Sequence, residues 1–233
     1  MTEPTLPTAP DGWTFGTPAF NPTDGIVTIS ETLAEVTVTN TISRDLGELK
    51  ISKVFDPLSS GFTGTFAINY DCDDGIAHDG TVTLAAGGSE TISGIPTGTS
   101  CTVTEPNLPT APTGWTFGTA TFNPIDGTVT ISETLAEVTV TNTISRDLGE
   151  LKISKAFDPL TSGFTGTFTI SYDCDDGETH DGTVTLAAGG SETITGIPTG
   201  TMCWVSEGEL PTAPEGWVFL GPIYNPKNGA VTI

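Results

Sequence analysis

The sequence predicts an all-β chain of tandem β-sandwich repeats about 102 residues long. Three observations carry that reading. Thr, Gly, Val and Pro are plentiful, whereas runs of Leu, Lys and Glu at helical spacing are missing. Short stretches alternating apolar and polar residues are punctuated by turn motifs such as DDG, AAGG, IPTG and PTG. Finally, the chain repeats itself: Trp13, Trp115 and Trp217 are evenly spaced, and Cys72 and Lys53 return as Cys174 and Lys155.

Self-comparison sets the frame. Residues 1–46 match 103–148, and residues 149–233 match 47–131. The expected domains are therefore the C-terminal half of a preceding repeat (1–46), a complete repeat (47–146) and a second repeat lacking its last strand (147–233). The seam NTISRDLGELKISK at Asn40–Lys53 returns at Asn142–Lys155. The seam residues Ser145–Gly149 are too few to let neighbouring repeats tumble freely, so a string of them is expected to form a semi-rigid rod.

In the complete repeat, strands are expected near Glu48–Phe55, Gly64–Cys72, Gly80–Ala85, Ser89–Ile95, Ser100–Glu105, Trp115–Phe122, Thr128–Ser132 and Glu137–Thr143. Their lengths and spacing suit an immunoglobulin-like β-sandwich. Alternation assigns the faces. Phe66, Ile68, Tyr70 and Cys72 share one, and Cys101, Val103 and Glu105 another. Leu49, Ile51 and Lys53 share a third, and Val138, Val140 and Asn142 a fourth.

Charge and cysteines bound the setting. The 29 acidic and 7 basic residues give a net charge of −22, which argues against nucleic acid and anionic membranes as partners. Four cysteines in equally spaced pairs suggest disulfides and an oxidising, extracellular location. Cys72 and Cys101 lie on inward faces of different strands, so Cys72–Cys101 and Cys174–Cys203 are the natural pairings. No close Cys-x-x-Cys pair suggests zinc. With no signal peptide after Met1 and no apolar spanning run, the sequence reads as a fragment of a longer exported protein.

Lys53, Glu105 and Asn142 each end an apolar face, and an inward lysine is costly unless it is neutralised or paired. Three such residues on three strands can meet in one pocket. The motifs GELKISK (47–53), CTVTE (101–105) followed by PTGW (112–115), and VTVTN (138–142) resemble the Cna-B-type repeats of Gram-positive adhesins and pilins. That resemblance implies a spontaneous isopeptide bond between Lys53 and Asn142, assisted by Glu105. Desolvation would make the lysine a neutral nucleophile, and the acid would polarise the asparagine carbonyl and shuttle protons. The plain alternative is a buried Lys–Glu ion pair capped by the asparagine amide, with no bond. Glu3 and Asn40 are equivalents without a lysine, and Lys155 and Glu207 equivalents without an asparagine. The paired cysteines and the DCDDG turn depart from the usual Cna-B pattern and are closer to a related repeat class of actinobacterial surface proteins.

Other constellations carry less. Asp71, Asp73, Asp74 and Asp79 crowd one turn and make calcium the one candidate metal, although the spacing is not that of an EF-hand. A solvated acidic turn is the competing reading, and His78 and His180 read as surface residues. Thr37, Thr39 and Thr41 read as the outward face of a half-buried strand, and Trp115, Phe117 and Phe122 as packing. No hydrolase, phosphate-loop or dinucleotide motif occurs, so no enzymatic turnover and no cofactor are expected. The functional expectation is a stalk or spacer of an extracellular bacterial surface adhesin or fibre. Its partners would be neighbouring identical repeats or subunits, with any host ligand bound through other domains. The alternatives are a self-assembling, pilus-like filament joined by strand donation, in which Asn40 completes another molecule's Lys155 site, and a ligand-binding adhesin repeat.

Overall fold

The computed structural model describes residues 2–233, and the chain is all-β apart from two single 3-10 turns. It forms two compact units, residues 2–110 with 117–144, and residues 111–116 with 145–233.

The first unit is built on two sheets. In one, the strands run in the order Ala136–Arg146, Leu46–Asp56, Ser89–Pro96. In the other, the order is Thr128–Thr130, Ser100–Thr104, Thr65–Cys72, Gly80–Ala85. Alternation along each strand sends one set of side chains between the sheets. Leu49, Ile51, Ile95, Val138 and Val140 from the first sheet, and Phe66, Ile68, Cys101 and Val103 from the second, are all essentially inaccessible. The first and last strands of the repeat run parallel, with Ile51 opposite Val138 and Lys53 opposite Val140. On the outward face the same ladder is pinned by Glu137, which takes Lys50 at 3.0 Å and the Ser52 hydroxyl at 2.7 Å. Those two contacts, Ser52 foremost, hold the Glu137 carboxyl below its usual range.

Residues before the seam form two small hairpin-like pairs, Trp13–Phe15 with Ile42–Arg44 and Ala19–Asn21 with Thr37–Thr39. These threonine strands are exposed on both faces, not half-buried as alternation suggests. They have a partner strand but, among the described residues, no second sheet to cover them.

The strand expected at Trp115–Phe122 is two strands, Trp115–Phe117 and Thr121–Asn123, both on Ala136–Arg146. The break falls at Gly118, whose N–H donates to Thr143 O at 2.9 Å. A Cβ there would lie 2.5 Å from the Thr143 hydroxyl, so the chain changes course where only glycine fits.

The second unit repeats the plan with a smaller first sheet. Leu148–Ser154 pairs with Ser191–Pro198, and the other sheet runs Gly182–Ala187, Thr167–Cys174, Met202–Glu207, Ala230–Thr232. Leu151, Ile153, Ile170, Leu186 and Ile197 make its core. Val218, Leu220 and Ile223 are more than four-fifths exposed. The WVF run at Trp217–Phe219 is not a strand here, unlike its copies Trp13–Phe15 and Trp115–Phe117.

Each unit contains one disulfide, Cys72–Cys101 and Cys174–Cys203. Both join directly opposed residues on adjacent antiparallel strands, so each staples a single sheet and does not bridge the two. In the loop-entropy picture, a closed loop of 29 residues contributes about 3–4 kcal/mol.

Candidate functional site

Lys53 and Asn142 are brought to neighbouring parallel strands because their alternation puts both inward. Lys53 faces Val140 in the ladder, and Asn142 follows two residues later on the same face. Glu105 arrives from the opposite sheet, one residue past the strand Ser100–Thr104. Lys53 is 1 % exposed and Asn142 0 %, and the Glu105 side chain is also fully covered.

Lys53 Nζ lies 3.7 Å from Glu105 Oε1, within ion-pair range but beyond a hydrogen bond. It donates a long bond, 3.4 Å, to Val140 O. Burial pushes its pKa down to about 8, against the opposing attraction of Glu105. At that value about a tenth of the amine is neutral at pH 7, against fewer than one part in a thousand for an ordinary lysine.

Neither Glu105 oxygen has a hydrogen-bond partner among the described residues, nor does either atom of the Asn142 amide. Leaving a buried amide or carboxyl unsatisfied costs roughly 1–3 kcal/mol per group. The cluster is therefore a buried amine, carboxyl and amide that do not satisfy one another by hydrogen bonds.

The walls are aromatic. Phe66 lies 4.2 Å below the Lys53 Nζ, and Phe55, Phe62 and Phe117 close around it with ring centroids 5.3 to 6.1 Å apart. These rings exclude water and account for the desolvation. Sequence reading missed Phe55 and Phe62 in this role. The available signal was their return at the repeat period, as Phe157 and Phe164 around Phe168 and Phe219.

Two further places in the chain contain pairs of the same residue types. Lys155 Nζ donates to Glu207 Oε1 at 2.6 Å, above the ring of Phe168 at 4.0 Å. Their side chains are 15 % and 4 % exposed, and they line a groove of about 560 Å³ with Phe157, Phe168 and Phe219. Within residues 2–46 the Asn40 amide donates to Glu3 Oε1 at 3.1 Å.

Three carboxylates of the acidic turn have protein partners. Asp79 Oδ1 accepts the Cys72 N–H at 2.9 Å, and Asp73 Oδ1 accepts that of Ser100 at 2.8 Å. Asp74 contacts His78 Nδ1 at 2.5 Å, and Asp71 is exposed on its strand. Two of these carboxylates therefore cap backbone amides beside the disulfide, and Asp176–His180 repeats the third contact. Among the described residues no group of three or more His, Cys, Asp or Glu converges as a metal site. His78 is part-buried against Asp74, not the free surface residue that its loop position suggests.

No curated protein matches the chain. Among solved structures it is similar to the TIE protein of Bacillus anthracis, at 16 % identity over 85 % of this chain and 35 % of that one, with a TM-score of 0.36. A Mobiluncus mulieris adhesin described as containing intramolecular disulfide, isopeptide and ester cross-links is 20 % identical over 49 % of this chain and 54 % of that one, TM-score 0.31. The pilus backbone of Streptococcus pneumoniae is 12 % identical over 84 % and 63 %, TM-score 0.25. The chain thus spans about a third of the first of these proteins and about half of the second. The family comparison is more direct, because one model matches the chain twice, over residues 49–145 and 151–233, in register with the internal repeat. The chain belongs to the DUF5979 family, a domain of unknown function.

Proposed function

We propose that this chain is a segment of an extracellular bacterial stalk or fibre, and that its complete repeat locks itself with a Lys53–Asn142 isopeptide bond. The observation that carries the reading is the buried triad: a lysine of lowered pKa, an asparagine amide with no hydrogen-bond partner and a glutamate likewise unpartnered. Repetition, the disulfides and the high negative charge support the stalk setting.

The reaction uses only these residues. Neutral Lys53 Nζ attacks Asn142 Cγ, and Glu105 polarises the carbonyl oxygen as the tetrahedral centre forms. The C–Nδ2 bond breaks, and Glu105 relays one amine proton to the leaving nitrogen. One amide and one ammonia result, the carboxyl is restored, and no oxidant or cofactor is required. Because it happens once per repeat, this is not enzymatic turnover.

The location of the bond gives it a mechanical consequence. Tension on the chain ends shears the parallel first and last strands, and a link between them carries that load covalently. Pulling single molecules tests this. The segment between Lys53 and Asn142 should stay closed in the wild type. Asn142→Ala should release about 200 Å of extra length with the disulfide intact. Equal extensions would refute the clamp. Covalent multimers on standing would favour the filament reading, in which the Asn40 strand enters the Lys155 groove of another copy.

A further inference from the structure

Each unit contains the same cluster outside the triad, formed where a Pro-x-Gly-Trp turn meets a seam. In the second unit, Asp147 is the hub. Its N–H donates to Gly114 O at 2.9 Å, its carbonyl accepts the Thr199 N–H at 2.8 Å, and its Oδ1 accepts the Thr116 hydroxyl at 2.6 Å. The Thr199 hydroxyl donates to Gly114 O at 3.1 Å. Arg146 lies 5.0 Å over the Trp115 ring and donates to Thr199 O. The first unit reproduces the pattern with Gly12, Trp13, Thr14, Arg44, Asp45 and Thr97.

The turn and the seam come from different repeats. Gly114–Thr116 belongs to the repeat that ends at 146, and Asp147 and Thr199 belong to the next. Yet residues 111–116 cluster with 145–233, not with the residues that flank them in the chain. A third copy of the turn, Pro214–Trp217, supplies the contrast. It closes the same bond, Trp217 N–H to Pro214 O at 3.0 Å, as Trp115 does to Pro112 at 3.1 Å. All three turn glycines have positive φ, 75° at Gly12, 77° at Gly114 and 80° at Gly216. But a Cβ on Gly12 or Gly114 would lie 2.5 Å from a threonine hydroxyl, whereas one on Gly216 would meet nothing within 4 Å. Trp217 is also 45 % exposed. The turn therefore forms without its receptor.

We infer that the Pro-x-Gly-Trp turn is a docking surface whose partner is the seam aspartate and facing threonine of the next repeat, so that each repeat is completed by a segment of the one before it. Pro214–Trp217 presents the same surface uncovered. The inference deepens the stalk reading and rests on its premise of consecutive repeats, but it needs no crosslink. Nearest-neighbour coupling of this kind makes an array unfold in blocks instead of one repeat at a time.

Amide hydrogen exchange on the whole chain tests it. Gly114→Ala should speed exchange of the Asp147 and Thr199 amides about tenfold or more, as local opening becomes easier, while the strand Thr167–Cys174 stays slow. Gly216→Ala imposes the same left-handed strain on a turn with no neighbour and should leave both amides protected. Equal effects of the two variants, or none from Gly114→Ala, would overturn the proposal. Should Gly114→Ala unfold the unit, Thr116→Val removes only the hydroxyl donated to Asp147. It should speed the same two amides about fivefold, the worth of one hydrogen bond, and no change there would be equally fatal. An unaltered mass with intact docking would reject the crosslink and leave this inference standing.

Discussion

At the level of single residues, the clamp requires Lys53 to be both buried and partly neutral. Its folded pKa of about 8 lies below the 10.5 of the unfolded chain. Between those values the native state binds fewer protons than the unfolded state, so stability rises with pH across that window. In Asn142→Ala, where no bond can form, chemical denaturation should therefore show the first unit gaining up to about 3 kcal/mol from pH 8 to 10.5. Lys53→Met in the same background should flatten the profile. Glu105→Gln keeps the volume but removes the proton relay, and intact mass should show the ammonia retained. The positions of the triad were legible in the sequence because strand alternation is strict: each member ends a run whose other members are apolar and inward. Its aromatic walls were not legible. Phe55, Phe62, Phe66 and Phe117 come from separate stretches of chain, and only the assembled sandwich gathers them.

At the level of elements, the strands follow the residues closely, and one misjudged boundary has a local cause. Trp115–Phe122 alternates well enough to read as one strand, but the close approach of Gly118 to Thr143 divides it. The threonine strands Thr37–Thr39 and Ile42–Arg44 illustrate the limit of pattern reading, because alternation cannot tell whether a second sheet is present to cover a face. The cross-strand disulfide is an element-level staple. Cys72→Ala with Cys101→Ala should lower the stability of the first unit by about 2–5 kcal/mol in denaturant melts, with the second unit unaffected. The aromatic box belongs to this scale as well. Phe66→Ala should cost about 3–5 kcal/mol and slow crosslinking, which a time course of mass after refolding would read.

At the level of the whole molecule, the repeat period was legible from three tryptophans, and the family match falls in the same frame. What the period could not show is that folded units are offset from sequence repeats. Residues 111–116 read as the middle of one repeat and fold with the next, because Asp147 and Thr199 are ordinary residues until the fold brings the turn onto them. A stalk built this way would combine three devices: a stapled sheet, a docked turn and a covalent clamp across the strands that carry the load. An intact mass of the chain decides whether the clamp forms. The account predicts a mass short of the sequence by the four hydrogens of two disulfides and by one ammonia, the ammonia being retained in Lys53→Ala and Asn142→Ala. A wild-type mass short of those hydrogens alone would contradict it, leaving Lys53, Glu105 and Asn142 as an unreacted buried cluster.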